Sequence, residues 1–219
     1  PKGPVMASNT WIELDLGILR SNLRALKDAL SGDTQIIFVV KANAYGHGML
    51  PAARQAWSDG VKWFAVAHID EAVELRAALP GAEIVIVGAL DPADVGAAIA
   101  GKLTPLIVSE AHARALASAA SAAAKTLRCH AKIDTGMGRL GFAWDEAPNL
   151  LPALARSGGL DIAGICTHFA SSDSPKRTFT EIQAERFRKT VAGCERAGLN
   201  IPFRHVANSG AILGGTDCD

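Results

Sequence analysis

Short apolar runs alternate along this chain with longer segments of helical periodicity. Seven runs read as strands: residues 35–41 (QIIFVVK), 63–67, 83–87, 104–108, 128–134, 161–167 and 203–206. Several are apolar almost without interruption, as strands buried on both faces of a parallel sheet require. The segments between them predict helices. Asp70 can cap a helix over 69–79 that carries Val73, Leu75 and Leu79. Ser109 precedes an alanine-rich helix. Residues 178–197 set Phe179, Ile182, Phe187 and Val191 at helical spacing, with Gly198 as the stop. Asp15 caps a helix over 16–30, and residues 10–14 (TWIEL) before it read as an extra strand without an evident partner.

Seven strand–helix repeats without a linker point to an α/β fold, a (β/α)8 TIM-like barrel rather than an open doubly wound sheet. A complete barrel has eight strands, and seven are found. Residues 1–9 read as an N-terminal tail and residues 10–219 as the barrel. The unpartnered extra strand and the ending GGTDCD suggest the front part of a longer chain.

Composition narrows the classes. Lys+Arg and Asp+Glu each number 22, so the net charge is zero, and this argues against general nucleic-acid binding. With 49% hydrophobic and 20% charged residues, the chain is globular rather than disordered. No apolar stretch reaches the roughly 18 residues needed to cross a bilayer, and the N-terminus lacks a secretory core, so a cytoplasmic location is expected. Cys129, Cys166, Cys194 and Cys218 are scattered, and buried reduced thiols are expected rather than a disulfide or zinc framework.

In a parallel barrel, functional groups collect where strands end. Lys41 closes the first strand and is followed at once by ANAYGHG. An amine beside apolar walls favours the neutral, nucleophilic form that adds to a carbonyl; a lysine snorkelling from a strand end is the plainer alternative. Residues 39–48 (VVKANAYGHG), Asp70-Glu71-Ala72, residues 132–141 (KIDTGMGRLG), Thr167-His168-Phe169-Ala170 and Ala207-Asn208-Ser209 follow in that order. This series resembles the alanine racemases, pyridoxal-phosphate enzymes built on a barrel followed by a β domain, which would be absent from this chain.

The resemblance implies roles. Lys41 matches the lysine that holds pyridoxal phosphate and moves a proton on one face of the substrate. Tyr45 and Ser209 match the residues that contact the cofactor phosphate. Arg139 matches the arginine that bonds the cofactor's phenolic oxygen and the substrate carboxylate. His168 matches a histidine beside the cofactor ring, Asn208 a cofactor-side asparagine, and Val87 a position where leucine often meets the cofactor. Lys132 matches a lysine often carbamylated in the family, and the sequence leaves both forms open. The resemblance further implies interconversion of L- and D-alanine, D-alanine for peptidoglycan, and a homodimer whose partner subunit supplies a tyrosine as second base. The family's arginine partner of the pyridine nitrogen would fall just beyond Asp219. Single-domain pyridoxal-phosphate-binding proteins without strong catalysis share the barrel and this length, but their motifs fit less well. A decarboxylase on the same barrel is disfavoured on the same ground.

Two other patterns weigh little. Gly136, Gly138 and Gly141 spell G-x-G-x-x-G, with Asp161 about twenty residues on, yet the preceding strand carries Lys132 and Asp134 and the next helix begins near Asp145 and Pro148. His68, His168 and His205 lie near strand ends, but no H-x-H or H-x-x-x-H pair accompanies them, so no metal is expected.

Overall fold

The structure, a computed structural model, describes residues 11–215. The expected tail, Thr10 and Cys218 lie outside them. From the N-terminus the elements are α1 (Leu16–Asp28), β1 (Ile37–Val39), α2 (Lys41–Tyr45), α3 (Met49–Ser58), β2 (Trp63–Val66), α4 (Ile69–Ala78), β3 (Glu83–Ala89), α5 (Val95–Ala100) and β4 (Leu103–Ile107). There follow α6 (Glu110–Ala122), β5 (Leu127–Asp134), β6 (Phe142–Ala143), α7 (Ala147–Arg156), β7 (Leu160–Cys166), α8 (Thr178–Arg196), β8 (Phe203–His205) and α9 (Ser209–Leu213).

The strands pair in parallel in the order β1-β2-β3-β4-β5-β7-β8, a curled sheet of seven strands with the short β6 added to the end of β5. All seven predicted strands are present. Among the described residues β1 pairs with β2 alone and β8 with β7 alone. Residues 11–14 form no strand, and Trp11 and Ile12 are exposed. Their apolar, β-prone residues read as a strand, but a strand needs a neighbour's backbone, and none of the described residues offers one.

Alternation along each strand separates two cores. One set of side chains, including Phe64, Val66, Ile84, Ile86, Ile107 and Ile133, packs outward against Leu75, Leu116, Leu151 and Phe187 of the helices. The other set fills the concave face: Trp63, Ala65, Val85, Leu106, Val108 and Cys166, with Ile37, Val87 and Phe203 against them.

Helix starts follow their side-chain caps. The Asp15 carboxylate accepts from the N–H groups of Gly17 and Ile18, and the Ser109 hydroxyl accepts from that of His112. Asp70, the expected cap of α4, instead lies in its first turn; His68 holds the cap position, and Glu71 reaches back to it. Cys129, Cys166 and Cys194 are buried free thiols.

Candidate active site

The predicted site residues sit at the C-terminal ends of β1, β3, β5, β7 and β8. Lys41 follows β1 directly, Lys132 lies near the end of β5, His168 two residues beyond β7, and Asn208 and Ser209 just after β8. Alternation places Lys132 on the concave face, because Ala131 and Ile133 belong to the outer core. It is 9% exposed and stands opposite Cys166, which in turn stands opposite His205. Burial pulls the Lys132 ammonium below its ordinary pKa, and Arg139 adds to that while Cys166 and Asp134 oppose it.

His168 marks where these groups meet. Its pKa is lowered first by burial, then by the charges of Lys132, Arg139 and Lys41. Lys132 on β5, Arg139 in the turn after that strand and Lys41 at the start of α2 thus all act electrostatically on one imidazole. Among the described residues none of the three forms an ion pair. A donor set of this kind fits an anionic aromatic ligand, whose charge would offset the mutual repulsion. Pyridoxal phosphate, with its phosphate and phenolic oxygen, has that character. Val87 packs at the rim of the concave cluster.

Lys41 opens an unusual segment. Ala42, Asn43, Ala44 and Tyr45 have φ of 51°, 54°, 52° and 56°, so α2 is a left-handed turn. For L-residues this costs about 1–2 kcal/mol each. No sequence pattern pointed to it. The turn is tied at both ends: the Ala42 N–H donates to Glu71 Oε1 at 2.6 Å, and the Met49 N–H donates to Asn43 Oδ1 at 2.8 Å. Tyr45 emerges from it 61% exposed, and Ser209 is exposed as well.

The glycine-rich turn carrying Arg139 folds around Asp134. Its carboxylate accepts from the N–H groups of Gly136, at 2.9 Å, and Gly138, at 3.0 Å. The glycine amides are thus already occupied, and the next helix, α7, starts at Ala147, as the sequence indicates. Both facts remove the dinucleotide reading. Asn208 caps α9: its Oδ1 accepts from Ser172 Oγ at 2.5 Å and from the Ala211 N–H at 3.1 Å, which fixes the backbone bearing Ser209.

Three supports had no counterpart in the sequence reading. Gln183 of α8, fully buried, donates to Thr135 Oγ1 at 3.1 Å and to the His168 carbonyl at 3.2 Å, and accepts from the Ala170 N–H at 2.9 Å. Thr135 and Thr167 share a 2.8 Å bond beneath it. His130 Nδ1 lies 2.9 Å from His205 Nε2 on the concave face, and His130 Nε2 has no partner. Donation by His130 Nδ1–H leaves a lone pair rather than an N–H unpaired there. The third support is Glu71, the third residue of α4: the sequence marks its motif but gives it no role, and a glutamate in the first turn of an expected helix was the available signal.

Among the described residues no three His, Cys, Asp or Glu side chains are grouped to hold a metal ion, and no helix is long and apolar enough to cross a membrane. A cavity of about 510 Å³ opens at the other end of the strands, against Arg128, Asp161 and Pro202. Arg128 and Lys132 are four residues apart on β5, so it lies about 13 Å from the cationic cluster. It takes no part in the site.

Comparison with known proteins agrees with this geometry. The family profile described as alanine racemase, N-terminal domain, matches residues 14–219. The alanine racemase of Syntrophobacter fumaroxidans is 36% identical over 206 residues, covering 94% of this chain and 55% of the relative. That of Desulfovibrio desulfuricans is 38% identical over 203 residues, covering 93% and 55%. The solved alanine racemase of Clostridium difficile 630 superposes with a TM-score of 0.90 at 32% identity, over 97% of this chain and 56% of that one. The chain spans about half the length of the relatives it matches. By profile, identity and fold, it belongs to the alanine racemase family, as the N-terminal barrel domain.

Proposed function

We propose that this chain is the cofactor-binding barrel of a pyridoxal-phosphate-dependent alanine racemase. The observation that supports this most directly is the placement of Lys41, Lys132, Arg139 and His168 together at the C-terminal ends of β1, β5 and β7, where burial and the three cations all lower the His168 pKa. When bound, pyridoxal phosphate makes the α proton of an amino acid acidic by spreading the charge left behind. Lys41 holds the cofactor through its amine and moves that proton on one face. The Arg139 fork binds the phenolic oxygen and the substrate carboxylate, two acceptors that its planar donors suit. Tyr45 and Ser209 hydroxyls would hold the phosphate, His168 and Val87 would lie beside the ring, and Asn208, by capping the helix that begins at Ser209, keeps Ser209 in place.

Burial of Lys132 favours its neutral amine, the form that takes up carbon dioxide, and a carbamate there would turn a repelling cation into an anionic partner for Arg139. From the family, the proton on the opposite face belongs to a tyrosine of a partner subunit in a homodimer, and the product D-alanine goes to peptidoglycan in the cytoplasm. Borohydride reduction of the chain with pyridoxal phosphate, then digestion and mass mapping, is expected to put the pyridoxyl group on Lys41. Label on another lysine would overturn the assignment.

A further inference from the structure

Glu71 ties three separate pieces of the fold together. Its Oε1 accepts from the Ala42 N–H at 2.6 Å, immediately after Lys41; its Oε2 accepts from the Ala67 N–H at 2.7 Å and the His68 N–H at 3.2 Å. A carboxylate serving only as a helix cap would need the His68 bond alone, and that is the longest of the three. The two shorter bonds reach outside the helix, to the residues that follow β1 and β2. Desolvation pushes the Glu71 carboxyl up, but the backbone bonds from Ala67, Ala42 and His68 outweigh it, so it stays below its ordinary value and ionised. The strand ends are crowded here. A Cβ on Gly88 at the end of β3 would stand 2.3 Å from the Ala67 carbonyl oxygen, so the Ala67 backbone has little room to shift.

The left-handed turn leaves Lys41 by way of the Ala42 N–H that Glu71 holds. Four successive residues in a backbone region that L-residues avoid cannot be held by their own preferences. We propose that Glu71 is a positioning residue for cofactor binding: its carboxylate holds the left-handed turn that sets Lys41 and Tyr45 at the spacing one pyridoxal phosphate molecule needs. It touches neither cofactor nor substrate and acts through the backbone of Ala42. This rests on Lys41 being the cofactor lysine.

The test compares the full chain with Glu71→Gln, Glu71→Ala and, as a control on the exposed side of α4, Glu74→Gln. Pyridoxal phosphate is titrated by its visible absorbance, apo-protein melting is recorded, and the reduced adduct is mapped. In Glu71→Gln one oxygen is replaced by a donor facing a backbone N–H. The apo protein is expected to melt within a few degrees of the parent. Its cofactor dissociation constant is expected to rise about tenfold, the scale of one lost hydrogen bond to a charged group. The label should stay on Lys41. Glu71→Ala should show the larger rise, and Glu74→Gln none. Parent-like affinity in Glu71→Gln overturns the inference, and so does an equal loss in Glu74→Gln. If Glu71→Ala does not fold, Glu71→Gln decides alone. Absence of Lys41 labelling in the parent itself would instead overturn the functional reading on which this rests.

Discussion

Single residues at this site are constrained more by what stands behind them than by what they face. Gly164 in β7 pairs in register with His130, and an added Cβ would meet the imidazole at 2.6 Å from Cδ2 and 2.8 Å from Cγ and Nε2. That ring is fully buried between Trp63 and Phe203, with centroids 6.1 and 5.8 Å away, so it has nowhere to go. Gly164→Ala is expected to destabilise the chain by about 1–3 kcal/mol through overpacking, lowering the melting temperature by about 2–4 °C per kcal/mol. A double mutant with His130→Ala should recover part of the loss, and a double-mutant cycle by calorimetry measures the coupling. Additive losses would mean the clash is relieved elsewhere.

At the scale of elements, α8 does more than cover the sheet. Through Gln183 it reaches the loops after β5 and β7 at once, and Arg186 Nη1 donates to the Thr135 carbonyl at 2.8 Å. The helix therefore sets the spacing between the segment that carries Arg139 and the one that carries His168. Gln183→Leu keeps the volume and leaves the Ala170 N–H and the Thr135 hydroxyl short of partners. A loss of about 1–3 kcal/mol is expected, read as a lower urea midpoint with unchanged slope. Pyridoxal phosphate affinity should fall as well, since the two loops lose their common tie. The signal is absent from the sequence because the partners are 48 and 15 residues apart and share no periodic face.

Across the whole molecule the concave face buries bases that resist protonation. His130 is lowered first by burial and then by Arg128; His205 by burial, then by His130 and Lys132. His168 adds to the same trend. A histidine depressed in the folded state is neutral there while its unfolded counterpart takes up a proton. The stability it contributes is thus present above the ordinary histidine value of 6.5 and lost as pH falls below it, because the unfolded chain then binds more protons. Melting temperature is expected to fall on acidification from pH 7, and His205→Gln, which keeps a polar partner for His130 without titrating, should flatten that limb. A profile as steep as that of the parent would show that carboxylates carry the acid sensitivity instead.

Strand positions and the reduced thiols were legible in the chain because each is encoded locally. An apolar run of five marks a buried strand wherever its neighbours lie, and VVKANAYGHG and KIDTGMGRLG carry the resemblance to the family without a fold. Even so, β-prone composition misled at residues 11–14, where no described backbone pairs with the segment. Tertiary structure alone decided the rest. It gathered Lys41, Lys132, Arg139 and His168 at the C-terminal ends of the strands and let Glu71 bond the backbone that follows β1 and β2. It also turned Ala42–Tyr45 left-handed, against a preference of about 1–2 kcal/mol per residue. Within Ala-Asn-Ala-Tyr only Asn43 tolerates that hand readily; the two alanines and the tyrosine do not. Within the turn only the Ala42 N–H reaches a distant partner, the Glu71 carboxylate, and that bond exists only once the ends of β1 and β2 are side by side.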